Sequence, residues 1–361
     1  MIFDVSGDWV ILAPCSVPAA RQGAEELSRY IDLLRRGAGT DSGKKPPAIE
    51  DAAATAPEEP VPIILLNPGD GGPCRNGFSW RLGDGRLEIY GDSCRGLWNG
   101  IFDFLDALGV RWPEPGREEL PPPARGGLYP LRDSRARKAS DPPAEIPRLI
   151  LDGKEKPKNR DALIHWAARN KIDALILPRR DLSRPRPRKR GPDLAERYAL
   201  IPEAGGWELS LLIPRRFFLF HRDLFRMESG KRNRAFNFCP TNPASISLLK
   251  KEAAKFFSLL FRIHPEIEVI HLWPDRGHEK TWCSCPACRA FSTGDLYRIA
   301  LNSVADVLTE LAPTARLSLP ESFTGGDESG GSVSLRPNIF PLARLPRHVR
   351  GETADRPAPL P

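Results

Sequence analysis

The stretch Ile267-Glu-Val-Ile-His-Leu-Trp-Pro-Asp275 determines the fold that is predicted for the second half of the chain. Its first six residues are mostly apolar, as in a buried strand, and Pro274 and Asp275 close the apolar run. Ala315-Arg-Leu-Ser-Leu319 repeats the pattern, because Pro320-Glu321 follow it directly. Polar groups at the carboxyl ends of successive parallel strands are typical of (β/α) barrels, so we predict that architecture here.

Strands and helices are predicted to alternate around this stretch, which favours a parallel sheet. The predicted strands lie near residues 149, 175, 210 (the run 209–213), 268 and 316. The predicted helices lie near 160–170, 245–263 and 296–311. A closed barrel needs eight strands, and even with a last strand over Asn338–Ala343 the pattern supplies at most six. The barrel is therefore predicted to be incomplete at its C-terminus.

The first 110 residues predict a smaller α/β unit. Apolar residues at steps of three and four predict a helix over 19–36, and a second helix opens at Gly91-Asp-Ser93 and ends at Gly109. Predicted strands cover 9–12, 62–66 and a hairpin of 78–82 with 87–90, and residues 38–60 are predicted to form a loop. The predicted division is a small α/β domain over 1–128, a Pro- and Arg-rich linker over 129–145 and a partial (β/α) barrel over 146–361.

Composition excludes several classes of protein. The apolar fraction is 40% and the charged fraction 27%, which is ordinary for a globular protein and excludes a disordered chain. Apolar runs such as Pro62–Leu66 are too short to cross a bilayer. The net charge of +7 is concentrated in Arg179–Arg190, which we interpret as a solvated loop, and no nucleic-acid partner is predicted. The N-terminus lacks a signal-peptide pattern, so a cytoplasmic location is predicted.

Two parts of the sequence resemble known families. The stretch Gly91-Asp-Ser-Cys-Arg-Gly-Leu-Trp-Asn-Gly-Ile-Phe-Asp-Phe-Leu-Asp-Ala-Leu-Gly-Val-Arg-Trp112 resembles the end of the N-terminal domain of α-glucuronidases and β-hexosaminidases. A second set is similar to the bacterial family called domain of unknown function 4838: Asn237-Phe-Cys-Pro-Thr-Asn-Pro243, His271-Leu-Trp-Pro-Asp275 and Trp282-Cys-Ser-Cys-Pro-Ala-Cys-Arg-Ala290. These resemblances cover most of residues 1–320 and imply an α/β N-terminal domain followed by a glycosidase-type barrel.

Glycoside hydrolysis uses two carboxylates, one as acid and the other as base or nucleophile. Asp275 and Glu321 each follow a predicted strand, so we predict them as the catalytic pair at the barrel mouth. Glu279 is the first alternative and Glu203 a reserve. The structural alternative is that Asp275 caps a turn and that Glu321 is a surface acid.

Flat indoles stack on the apolar face of a pyranose, so Trp273, Trp282 and Trp207 are predicted to bind substrate, although any one of them could instead be core. His221 and Asn242 complete the predicted substrate-binding set. The predicted function is a carbohydrate-active hydrolase acting on a carbohydrate or a glycan that contains uronic acid. The alternative is a non-catalytic carbohydrate-binding or structural protein.

Cysteines are clustered in the second half of the chain. Cys283, Cys285 and Cys288 fall within six residues and supply three of the four thiolates that a tetrahedral zinc site needs. Cys239 or His278 could supply the fourth ligand. A disulfide with one free thiol, or reduced cysteines that order a loop, are the alternatives. No cofactor is required by the predicted reaction, and zinc would have a structural role.

Overall fold

A computed structural model describes residues 1–40, 45–53, 62–70, 76–83, 85–122, 125–131, 146–151, 156–182, 194–206, 209–275, 281–320 and 332–342. The chain forms two compact units. The first comprises Met1–Pro142, Glu155–Asp173 and Arg188–Ile201, and the second comprises Pro143–Lys154, Ala174–Pro187 and Pro202–Pro361. Parts of the chain that follow the predicted linker therefore belong to the first unit.

The elements before residue 131 are strands and two long helices. In chain order they are β1 (Ile2–Asp4), β2 (Val10–Ala13), α1 (Pro18–Gly37), β3 (Ala48–Asp51), β4 (Ile63–Pro68), β5 (Phe78–Gly83), β6 (Arg86–Gly91), α2 (Cys94–Ala107) and β7 (Leu128–Pro130).

The elements after residue 146 alternate more regularly. In chain order they are β8 (Arg148–Ile150), α3 (Pro157–Arg169), β9 (Ala174–Leu177), α4 (Arg179–Leu182), α5 (Leu194–Arg197), β10 (Ile201–Gly206), β11 (Met227–Glu228), β12 (Lys231–Arg232), α6 (Pro243–Ile263), β13 (Val269–Leu272), α7 (Thr293–Leu311), β14 (Arg316–Leu319) and β15 (Ile339–Pro341). No described helix has both the length and the apolar character needed to cross a membrane.

The first unit is built on a five-stranded sheet in the order β3-β2-β4-β6-β5. The hairpin of β5 and β6 is antiparallel, as predicted, and the other pairings are parallel. Helices α1 and α2 match the predicted ones, and Ser93 caps α2 by accepting a hydrogen bond from the Gly96 N–H at 3.1 Å. The predicted loop over 38–60 is wrong at β3, a short edge strand that pairs with β2.

A buried ion pair organises the first unit. Arg95 donates to the Asp173 carboxylate at 2.9 Å, and both side chains are almost fully buried. Asn76 and Asn99 also donate to Asp173, at 2.5 and 2.8 Å. Arg95 additionally donates to the carbonyl oxygens of Tyr198, Ala168 and Ile172. The residues of α2 therefore hold the later segments 155–173 and 188–201 in this unit.

The second unit is built on a six-stranded sheet whose order, β8-β9-β10-β13-β14-β15, follows the chain. Four of its neighbouring pairs have a defined parallel register: β8–β9, β10–β13, β13–β14 and β14–β15. Sequential parallel strands are the arrangement predicted for a (β/α) barrel. Among the described residues β8 and β15 are the sheet edges, and an incomplete (β/α) barrel stays a prediction.

The predicted strand over 209–213 is wrong. Leu209–Leu212 is a 3₁₀ helix, and the third strand of the sheet is β10, at Ile201–Gly206. The apolar run 209–213 resembles a strand but packs as a helical turn, with the Leu209 N–H donating to the Trp273 carbonyl at 3.0 Å. At Gly205 φ is +102°, and a Cβ there would lie 2.0 Å from the His271 carbonyl oxygen. Only glycine fits there.

The two faces of this sheet are filled differently. Side chains on one face pack against α6 and α7 in a large apolar cluster that includes Ile270, Leu272, Leu317 and Leu319. The other face carries a small apolar cluster of Ile176, Val269, Trp273, Phe340 and Leu342. A buried charged network occupies the same face, because paired residues of parallel strands project to the same side of the sheet.

The centre of the charged network is Glu203 on β10. Arg148 on β8 donates to both of its carboxylate oxygens, at 2.7 and 3.0 Å, and His271 Nε2 lies 2.9 Å from Oε2. Glu203 is 1% exposed and His271 is fully buried. Burial raises the pKa of the Glu203 carboxyl, but Arg148 and His271 outweigh it and hold that pKa below its usual value.

The hydrogen-bond directions in this network follow from the state of His271. Burial lowers the pKa of His271 despite the nearby Glu203, so the imidazole is neutral. The Trp273 indole N–H donates to Ser318 Oγ at 2.8 Å, and Ser318 Oγ lies 2.6 Å from His271 Nδ1. A neutral ring that accepts at Nδ1 and donates from Nε2 to Glu203 satisfies every group in this chain of contacts. His271 is therefore held by hydrogen bonds at both ring nitrogens inside the sheet.

Asp173→Ala should destabilise the protein by about 3–5 kcal/mol, because it leaves the buried Arg95 guanidinium without a counter-charge. Asp106→Ala is the matched control, since Asp106 pairs with Arg111 at 2.8 Å on the surface and should cost less than about 1 kcal/mol. Urea unfolding of the three proteins checks this. Equal losses would contradict the role assigned to the buried pair.

Glu203→Gln should also cost about 3–5 kcal/mol, because Arg148 is then buried without an anion. The folded pKa of Glu203 lies below its unfolded value, so its stabilisation is present above the unfolded pKa and is lost as the pH falls through the folded pKa. The gap between wild type and variant in thermal unfolding should therefore narrow in acid. Glu310→Gln, at an exposed position of α7, should leave the melting temperature unchanged at either pH.

Candidate active site

Asp275 lies three residues beyond β13, at the carboxyl end of the sheet of the second unit. Its side chain is 22% exposed, in agreement with the expectation that it emerges only partly from the strand end. Ser210 Oγ donates to Asp275 Oδ1 at 2.7 Å, and the Asp275 N–H donates to Asn237 Oδ1 at 3.1 Å. Three separate segments of the chain therefore meet at Asp275.

The Asp275 carboxyl has an environment that favours its protonated form. Burial raises its pKa above the usual value, and the Ser210 hydroxyl and the Arg215 guanidinium only partly oppose that shift. The distance from Arg215 Nη2 to Asp275 Oδ2 is 3.6 Å, too long for a strong hydrogen bond. A raised carboxyl pKa in a partly buried position is what a general acid requires.

The described residues use only part of the hydrogen-bonding groups of the Arg215 guanidinium. Its Nη2 donates to the Phe236 carbonyl, whereas its Nη1 is buried and has no hydrogen-bond partner among the described residues. Burial also lowers the pKa of this guanidinium, and Asp275 opposes that shift. Because this buried N–H has no partner in the described segments, it is free to donate a hydrogen bond to an acceptor outside them.

The two described indoles of the predicted substrate-binding set lie in the core. Trp273 is fully buried, next to His271 and above Val269 on the same sheet face. Trp282 is 5% exposed and packs edge-on against Phe238, with ring centroids 6.2 Å apart. Both rings fill space inside the second unit, which is the core packing that the sequence left open as the alternative to sugar stacking.

The other predicted binding residues have separate positions. His221 is exposed after the short 3₁₀ helix Arg215–Leu219. Asn242 caps α6, accepting from the Ala244 N–H at 2.9 Å and donating to Asp223. Glu321, Glu279, Trp207 and His278 lie outside the described residues, so their predicted roles stay predictions.

Glu203, the reserve candidate for a catalytic carboxylate, binds Arg148 and His271 and is buried away from solvent. This geometry assigns it a structural role.

The cysteines converge as predicted. Cys283, Cys285 and Cys288 lie in one segment, and Cys239, just before α6, joins them. All four sulfur atoms lie within 4.8 Å of one another, and all four residues are buried. Of the two residues that could supply the fourth ligand, Cys239 lies beside the other three sulfurs, and His278 lies outside the described residues.

Sequence reasoning did not single out Ser210, Arg215 or Asn237. Ser210 was hidden by the wrong strand assignment over 209–213, and Arg215 follows that segment without a motif of its own. Asn237 had the better signal, because it lies two residues before Cys239 in a stretch already noted. Its amide donates to the Thr281 carbonyl and hydroxyl, both at 3.4 Å.

No family model and no curated protein sequence matches the chain. Solved structures of glycoside hydrolases do resemble it. A GH20 β-N-acetylhexosaminidase from Streptomyces coelicolor A3(2) is 10% identical, with a TM-score of 0.49 over 94% of this chain and 65% of that one. An inactive mutant of a GH20 exo-β-N-acetylglucosaminidase from Vibrio harveyi is 13% identical, with a TM-score of 0.50 over 94% of this chain and 54% of that one.

A family 89 glycoside hydrolase from Clostridium perfringens is also 13% identical, with a TM-score of 0.50 over 90% of this chain and 39% of that one. This chain thus spans between about two fifths and two thirds of the length of these three proteins. At such low identity the likeness concerns the fold. The chain has an α/β fold of the type that these glycoside hydrolases have.

Proposed function

We propose that this chain is a carbohydrate-active hydrolase in which Asp275 is the catalytic acid. The observation that carries the proposal is the Asp275 carboxyl itself. It is partly buried at the carboxyl end of a parallel strand and its pKa is raised. In α/β folds with sequential parallel strands, reacting groups gather at that end of the sheet.

The contacts of Asp275 support a general acid whose carboxyl group is held in a fixed orientation while it donates its proton. The Ser210 hydroxyl donates to Oδ1 and fixes the orientation of the carboxyl group. Oδ2 is then the oxygen that carries the proton toward the glycosidic oxygen. After transfer the new carboxylate faces Arg215 Nη2 at 3.6 Å, whose positive charge stabilises the anion.

Arg215 Nη1 has no hydrogen-bond partner among the residues that the structure describes, which supports a polar sugar group next to the acid. A guanidinium N–H bonds a hydroxyl and bonds a carboxylate more strongly, which favours uronic-acid-containing glycans. The Vibrio harveyi neighbour is named an exo-β-N-acetylglucosaminidase, and the family 89 enzyme was solved with 2-acetamido-1,2-dideoxynojirmycin. Both N-acetylhexosaminides and uronides therefore belong among the test substrates.

The second carboxylate is proposed to be Glu321, with Glu279 as the alternative. A separation of about 5 Å from Asp275 would indicate a retaining mechanism, and about 6.5–9.5 Å an inverting one.

A non-catalytic carbohydrate-binding or structural protein is the second candidate. The observation that favours it is the burial of Trp273 and Trp282, which leaves neither indole open to stack on a sugar. The two functions differ in turnover, so one set of measurements separates them.

Asp275→Asn should abolish turnover of an aryl glycoside that the wild-type protein cleaves, by at least about 100-fold, because the amide cannot donate the acidic proton. Sugar affinity should remain nearly unchanged. Steady-state kinetics on aryl N-acetylhexosaminides and uronides, with calorimetry for binding, measures both.

Asp306→Asn is the matched control for this substitution. Asp306 pairs with Lys250 and Arg336 on the surface, so its loss should leave turnover unchanged. Turnover that survives in Asp275→Asn would assign the acid to another residue. A wild-type protein that binds sugars but cleaves none would establish the binding function instead.

Asp275→Asn should not lower stability at neutral pH. The folded pKa of Asp275 lies above its unfolded value, so its contribution to stability is fully present below the unfolded pKa and is lost as the pH rises through the folded pKa. The variant should therefore melt at the wild-type temperature or higher at pH 7, and lose that advantage in acid. A variant that melts well below wild type at pH 7 would contradict this account of the site.

A further inference from the structure

We propose that Cys239, Cys283, Cys285 and Cys288 bind one zinc ion as a closed structural site in the second unit. The site is independent of the proposed hydrolysis, because it is defined by the sulfur geometry alone.

The distances between the sulfur atoms fit a tetrahedron. Cys239 Sγ lies 3.7 Å from both Cys285 Sγ and Cys288 Sγ, and all four sulfurs lie within 4.8 Å of one another. A tetrahedral ion with Zn–S bonds of about 2.3 Å holds its sulfurs about 3.8 Å apart. The four thiols therefore already stand close to the corners that such an ion requires.

The groups around the sulfurs are hydrogen-bond donors. The Met227 N–H donates to Cys283 Sγ at 3.2 Å, and Arg232 Nη1 approaches the same sulfur at 3.7 Å. The Thr241 hydroxyl lies 3.1 Å from Cys288 Sγ. Zinc with four thiolates carries a net charge of −2, and donors with a nearby guanidinium are the surroundings that stabilise such a charge.

The position of the site explains what zinc would do. All four cysteines belong to the buried cluster formed with α6 and α7, and four protein ligands leave no open position for a reacting water. The ion would join the segment before α6 to the segment after Thr281. Asn237, two residues before Cys239, bonds the backbone of both Asp275 and Thr281. The proposed site therefore stabilises the surroundings of Asp275 and takes no part in the chemistry.

Four sulfur ligands also suit iron, and the same thiols could instead pair oxidatively. Zinc is the assignment we favour, because tetrahedral four-cysteine sites that join two chain segments are common structural zinc sites. None of the four described cysteines of the cluster is in a disulfide.

Elemental analysis of the full chain, purified without chelator from zinc-supplemented cells, tests the proposal. We expect one zinc per chain. Cys283→Ser and Cys288→Ser should each lose it, whereas Cys15→Ser, at an exposed cysteine outside the cluster, should retain it. One iron per chain, or zinc that survives both cluster substitutions, would overturn the proposal.

Cobalt substitution of the wild-type protein keeps the proposal testable if the cluster variants do not fold. Anaerobic exchange of the metal for Co²⁺ should give the intense visible bands of tetrahedral cobalt and thiolate-to-cobalt charge transfer in the near ultraviolet, in a ratio of one cobalt per chain. Absence of these bands from reduced protein, or disulfides among the four cysteines in freshly purified protein, would overturn the proposal.

Discussion

The second unit depends on neutralising one charge, the Glu203 carboxylate, inside a parallel sheet. An isolated buried carboxylate is strongly unfavourable, so its partners must be held at hydrogen-bonding distance. Those partners come from β8 and β13, and the chain of contacts continues through Ser318 on β14 to the Trp273 indole. Because each contact requires one relative position of two strands, the network selects the register of the central sheet. A shift of one residue would turn the charged groups toward the apolar helices.

The segments around Asp275 follow from that sheet. Gly205 and Gly206 allow the backbone of β10 to pass close to β13. The 3₁₀ helix Leu209–Leu212 then brings Ser210 to the Asp275 carboxyl group. Asn237 joins from the segment before α6. The strands thus provide a rigid base, while the following segments bury the Asp275 carboxyl, which raises its pKa, and supply the Ser210 and Arg215 contacts that partly oppose that shift. This division of labour between scaffold and loops is general in α/β enzymes.

The likeness to GH20 and GH89 structures concerns this scaffold. Folds of this kind carry many different activities, so the residues of the site, and not the fold, indicate the function. Here the site offers an acid with a raised pKa, and beside it the Arg215 guanidinium, whose Nη1 has no hydrogen-bond partner within the described part of the chain. Of the indoles predicted to stack on a sugar, the two that the structure describes, Trp273 and Trp282, are both buried in the core.

The sequence by itself determined the elements whose patterns are local. Helices α1, α2, α6 and α7, the hairpin and the strands near 149, 175, 268 and 316 all follow from periodicity and turn residues, and the spacing of Cys283, Cys285 and Cys288 predicted a single cluster. Only the tertiary structure decided matters that depend on distant neighbours. β10 contains Pro202, Glu203 and two glycines, so its sequence has low strand propensity. It forms a strand because its backbone pairs with β13 and because Arg148 binds the Glu203 carboxylate. From the sequence alone, Trp273 was predicted to stack on a sugar. In the structure its side chain projects to the same side of the sheet as His271 and is buried in the small apolar cluster on that face. Side-chain direction and burial are set by what packs opposite, and a single sequence does not record that.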